Sequence, residues 1–83
     1  MKLLYFAWVR QRIGLAEEDV TPPAEARDVA GLITWLASRG GGYATAFADP
    51  RQIRAAVNGD FAAPDHPVKP GDEVALFPPV TGG

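Results

Sequence analysis

The chain has 83 residues, which is one domain, and a chain of this size buries about 60–65% of its unfolded surface, enough for one modest core. Its formal net charge is −2, and its cations (Lys2, Arg10, Arg12, Arg27, Arg39, Arg51, Arg54 and Lys69) are scattered, which argues against nucleic-acid binding. There is no cysteine, so disulfides, thiolate catalysis and cysteine-based metal sites are excluded.

The start, "MKLLYFAWVRQR", has one lysine and then an apolar run, as a secretory leader would. Arg10 and Arg12 follow at once with no small-residue cleavage site, so a first strand over residues 2–9 is the better reading. Apolar residues fall on both alternating sets, Leu3, Tyr5, Ala7 and Leu4, Phe6, Trp8, so this strand is expected to be covered on both faces, one of them by a partner. No apolar run is long enough to span a bilayer, and the expected location is the cytoplasm. "RQRIG" reads as a helical turn closed by Gly14, and "EEDVTPP" as a polar edge strand stopped by Pro22 and Pro23.

The main helix is predicted from Val29 to about Arg39. Asp28 is its N-cap, Val29, Leu32, Ile33 and Leu36 form one buried face, and Gly40 is its C′ residue. "GYATAF" reads as a further short helix and "ADPRQ" as a loop. "IRAAVNGDF" reads as a strand ending in an Asn58-Gly59-Asp60 turn, since Asn-Gly tolerates positive φ. Pro70-Gly71-Asp72 makes a tight turn into "EVALF", with Val74 and Leu76 toward the core and Glu73, Ala75 and Phe77 away from it. The order predicts an α+β roll, a mixed sheet packed on one main helix, with the first and last strands adjacent at its centre.

Few residues invite a catalytic reading. A chain this short does not enclose a deep cleft, so a partner is expected to supply most of any pocket. Gly40-Gly41-Gly42 follows a helix, whereas a phosphate loop precedes one and continues into Gly-Lys-Ser/Thr. Glu17-Glu18-Asp19 and Asp72-Glu73 read as a solvated strand face and a turn, and the single His66, between prolines, as structural or solvated. No metal site is expected.

The ending "FPPVTGG" (Phe77–Gly83) is different. Pro78 and Pro79 lack N–H groups, end the ladder of the last strand and favour extended geometry of about 3.1 Å per residue, so the arm reaches roughly 20 Å. Val80 and Thr81 keep it extended and give a groove something to hold. Gly82 and Gly83 have no Cβ and fit a narrow tunnel. At the tip, the Gly83 carboxylate becomes an unhindered electrophile once activated, for example as an acyl-adenylate. The expected organisation is a domain over residues 1–77 and an extended tail over 78–83. Leu4, Phe6 and Phe77, on neighbouring strands, are expected to form an apolar interface patch at the tail root.

These residues carry a resemblance. "DHPVKPGDEVALFPPVTGG" (Asp65–Gly83), "FAWVRQRIG" (Phe6–Gly14) and "AAVNGD" (Ala55–Asp60) resemble the molybdopterin synthase small subunit, the MoaD family of ubiquitin-like sulfur carriers. The terminal "GDEV…FPPVTGG" is the specific part; residues 16–54 match only in pattern, which does not account for Gly40–Gly42 or the Pro-rich 21–24 stretch.

The resemblance implies a ubiquitin-like β-grasp fold. It implies that Gly83 is adenylated by an E1-like (MoeB-like) enzyme using ATP, with no cofactor bound by the chain itself, and is then converted to a thiocarboxylate with sulfur from a sulfurtransferase or cysteine desulfurase. It further implies that the tail enters the large (MoaE-like) subunit of a heterotetrameric synthase and gives sulfur to the cyclic pterin precursor, the chain being a non-catalytic subunit. The family's interface carries over to Phe6, Arg10, Phe77 and the arm Pro78–Gly83. Two alternatives remain: a carrier for thiazole or tRNA thiolation or a ubiquitin-like protein modifier, and a β-grasp interaction module whose tail does no chemistry.

Overall fold

The computed structural model describes residues 1–79. The elements in chain order are β1 (Lys2–Tyr5), α1 (Ala7–Ile13), β2 (Glu17–Asp19), α2 (Val29–Ser38), α3 (Gly41–Ala46), a 3-10 turn (Pro50–Gln52), β3 (Arg54–Val57), β4 (Asp60–Ala62) and β5 (Glu73–Phe77). The sheet order is β2-β1-β5-β3-β4. β1 and β5 run parallel at its centre, and the other pairs are antiparallel. This is the mixed α+β roll expected from the element order.

One face of the sheet makes the core. Leu3, Tyr5, Ala55, Val57, Val74 and Leu76 alternate onto it and are buried against Val29, Leu32, Ile33 and Leu36 of α2. The α2 boundaries follow local chemistry. Asp28 Oδ1 accepts from the Gly31 N–H at 2.7 Å, satisfying one of the free N–H groups of the first turn. Just past the helix, Gly40 takes φ +76°, a conformation that costs glycine little.

Three expectations are corrected here. The first strand ends at Tyr5, not at residue 9: Phe6 is the N-cap residue of α1, and Ala7 takes φ +51°, which turns the chain out of the sheet. Val9 is buried on the helix, Ala7 is exposed, and Trp8 is half-buried with the Arg12 guanidinium 4.3 Å from its ring centroid. The close at Gly14 stands, with φ +89° and its N–H donating to Arg10 O at 2.8 Å. Second, the Asn58-Gly59 turn, with φ +51° and +90°, leads into a further strand, β4, which begins at Asp60, the residue expected to complete the turn. Third, "ADPRQ" contains a 3-10 turn capped by Asp49 Oδ1, which accepts from the Arg51 N–H at 3.1 Å.

The glycine run has a packing reason. A Cβ on Gly42 would lie 2.1 Å from Arg12 O and 3.0 Å from Arg12 C, so a bare Cα is what lets α3 rest on the end of α1.

Candidate functional site

The second face of the sheet is only partly covered. Register aligns Leu4 with Ala75, Ala75 with Ala56, and Ala56 with Phe61, giving an apolar row across four strands. In the next row Phe77 lies opposite Arg54. Phe6 is held beside it, because its N–H continues the parallel ladder by donating to Leu76 O at 3.2 Å. Phe61 is 85% exposed and Phe6 48% exposed, while Leu4, Ala75 and Phe77 are half-buried. The Phe61 and Phe77 rings meet edge-on, with centroids 6.0 Å apart and planes at 61°, a favoured aromatic geometry. This face ends at Pro78 and Pro79, both half-buried.

Two polar clusters hold the frame. The sequence reading assigned Glu17-Glu18-Asp19 to a solvated face, but Glu18 pairs with Leu3 and turns inward at the sheet edge. It accepts from Tyr5 Oη at 2.9 Å, from Tyr43 Oη and from Arg39 Nη1 at 3.2 Å. Burial pushes the Glu18 carboxyl up, but the bonds from Tyr43, Tyr5 and Arg39 outweigh it and hold the group below the usual glutamate range. Both phenols are pushed up, first by burial and then by their bonds to Glu18. Arg39 also stacks on Tyr43 at 4.3 Å and on Trp35 at 5.3 Å, tying β2, α2 and α3 together.

At the end of the sheet away from the tail, Asp72 is buried and not a solvated turn residue. It accepts from Asn58 Nδ2 at 3.0 Å and from the Lys69 N–H at 2.9 Å, and these bonds lower its carboxyl below the usual range. Asn58 Oδ1 in turn accepts from the Glu73 N–H at 3.0 Å. The clasp fixes the β3–β4 turn against the start of β5, and so sets the register that brings Phe61 to Phe77.

The ThiS family profile matches residues 3–83. The chain belongs to the ThiS family. It is similar to the molybdopterin synthase sulfur carrier subunit of Escherichia coli (strain K12), with 41% identity over 83 residues spanning 100% of this chain and 99% of the relative. Among solved structures it is similar to one described as molybdopterin converting factor, subunit 1, from Pyrococcus furiosus, with TM-score 0.75, 35% identity and 95% of each chain covered. It is also similar to the H. volcanii small archaeal modifier protein 1, with TM-score 0.73, 26% identity and 96% and 97% of the two chains covered. The fold of this ThiS-family chain is the ubiquitin-like β-grasp.

Of the residues singled out from sequence, Leu4, Phe6 and Phe77 come together at the tail root, and Arg10 lies exposed on α1, its N–H donating to Phe6 O at 3.3 Å. Val80, Thr81, Gly82 and Gly83 lie outside the described residues. The sequence reading missed Phe61 and Arg54. Phe61 was legible in principle: two residues beyond an Asn-Gly turn, a hairpin puts it across from Ala56. Among the described residues there is no group of three or more His, Cys, Asp and Glu side chains able to hold a metal ion. None of their helices is long and apolar enough to cross a membrane.

Proposed function

We propose that this ThiS-family chain is the sulfur carrier subunit of molybdopterin synthase, with the Gly83 carboxyl as its reactive group. The observation that carries the reading is the 41% identity to a molybdopterin synthase sulfur carrier subunit over the whole of this chain. The open aromatic face at the tail root supports it, because a carrier must dock on several proteins while leaving its arm free to enter each.

In this reading a Gly83 carboxylate oxygen attacks the α-phosphorus of ATP on an E1-like enzyme and releases pyrophosphate. The terminal sulfur of a persulfide on a sulfurtransferase or cysteine desulfurase then attacks the acyl carbon and displaces AMP. A second thiol reduces the resulting acyl disulfide, leaving the thiocarboxylate on Gly83 and a disulfide on the donor. Phe6, Phe77, Leu4 and Arg10 seat the domain on the synthase large subunit. Pro78 and Pro79 stiffen the arm, Val80 and Thr81 are gripped, and Gly82 and Gly83 thread to the cyclic pterin precursor, which takes the sulfur. The chain works in the cytoplasm as a non-catalytic subunit. Incubation with the activating enzyme, ATP and a sulfur source is expected to add about 16 Da to the intact mass, the exchange of oxygen for sulfur. No gain under conditions that charge a known carrier sinks the proposal.

The likeness to the H. volcanii small archaeal modifier protein 1 favours one second reading. The same activated Gly83 would then be attacked by a lysine amine, and the product would be an isopeptide conjugate, which tryptic mass spectrometry distinguishes from a thiocarboxylate.

A further inference from the structure

Beside the tail root, a cleft of about 460 Å³ is lined by Arg54, Ala55, Phe61, Ala62, Ala63 and Phe77. Its walls are apolar, and the one polar side chain among them is Arg54. That guanidinium is held in place from behind: Nη1 donates to Arg51 O at 2.9 Å and to Ile53 O at 3.1 Å. These two bonds use both Nη1 hydrogens and, among the described residues, leave the Nε and Nη2 edge, a planar two-donor fork, without a partner. Among the described residues no carboxylate is paired with Arg54; the neighbouring cation, Arg51, is already matched by Asp49 at 3.1 Å.

A guanidinium held by backbone carbonyls on the residue opposite Phe77, with no partner for its fork among the described residues, suits recognition of a planar anion. We propose that this cleft reads a carboxylate on the protein that receives the tail: a surface segment with an apolar side chain to fill the space between Phe61 and Phe77 and an aspartate or glutamate beside it to meet Arg54. The inference rests on the proposed carrier function, since it takes the synthase large subunit as that protein. The two attractions divide the work. Aromatic contact supplies most of the buried area, and the charged pair sets the docking angle, and with it the line along which the arm leaves Phe77.

The test is titration calorimetry of the full chain against the molybdopterin synthase large subunit of the same genome, at low and high ionic strength, with thermal melting of every variant. Arg54→Gln is expected to weaken binding about 10- to 100-fold and to flatten its salt dependence. Arg54→Lys is expected to restore the salt dependence but little of the affinity, because an ammonium is a point charge without the fork. Lys69→Gln, at the other end of the sheet, is expected to change nothing. If Arg54→Gln and Arg54→Lys both bind like wild type while Phe77→Ala loses affinity, the carboxylate recognition is wrong and the carrier function stands. If the wild-type chain does not bind the large subunit, both fall. If the chain dimerises and Arg54→Gln abolishes the dimer, the occupant is a second copy and the inference is overturned.

Discussion

The two faces of the sheet are made by the same strands, residue by residue in alternation, and they have different consequences. On the inner face Leu3, Val74 and Leu76 have no solvent exposure and lie among the side chains of α2. On the outer face Leu4, Ala75 and Phe77 keep partial exposure, and Phe61 is almost free. Apolar content alone does not separate them, since both rows are greasy. The difference is that the described residues supply a helix for one face and none for the other. The inner face therefore holds the fold, and the outer face is available to a partner.

That contrast can be broken from either side. The largest effect is expected from Leu76→Ala, which leaves a cavity under α2 and should cost about 2–5 kcal/mol in urea denaturation. A loss below about 1 kcal/mol would show that the inner face is not the core that its burial implies. Gly42→Ala probes the frame around the faces. Its methyl group would push α3 off Arg12 O, at a cost of about 1–3 kcal/mol as overpacking, with little effect on the affinity of the remaining folded protein for partners.

Phe77→Ala and Phe6→Ala test the outer face. Each is expected to weaken large-subunit binding by about 1–2 kcal/mol while lowering stability by less than about 1 kcal/mol. If either variant unfolds, the outer face also holds the fold and the two faces are not separable.

The smallest effect is expected from Glu18→Gln, and it depends on pH. The folded carboxyl sits below the ordinary glutamate value of about 4.3. Its contribution is therefore complete above that value and lost as pH falls through the folded pKa. The variant should be less stable than wild type at neutral pH and converge with it in strong acid. A constant difference across the acid limb would remove Glu18 titration as the cause.

Much of the fold was legible because its signals are local. Asp28 caps a helix three residues from the N–H that it receives, Gly40 ends that helix, and Asn58-Gly59 and Pro70-Gly71 turn the chain within a few residues. Alternation along β5 separated Leu76 from Phe77 correctly. Of the candidate site, Leu4, Phe6 and Phe77 could be read from this alternation and from the expected adjacency of β1 and β5. Phe61 and Arg54 could not, because their roles depend on β4 and on the Asn58–Asp72 clasp, which joins residues 14 apart.

The sequence by itself determined the ends of α2, the close of α1 at Gly14, the Asn58-Gly59 and Pro70-Gly71 turns, the in-out pattern of the last strand and the Pro-Pro interruption that follows it, all set by conformational preferences over a few residues. Only the tertiary structure decided that Phe6 is held beside Phe77, that Glu18 turns inward, that Gly42 must be bare and that Phe61 joins Phe77. Each of these depends on atoms supplied by a distant part of the chain: Leu76 O for Phe6, the Tyr5, Tyr43 and Arg39 donors for Glu18, the α1 backbone for Gly42 and the β3 register for Phe61. No periodicity within a single segment carries that information, because the partner that sets each geometry lies outside the segment.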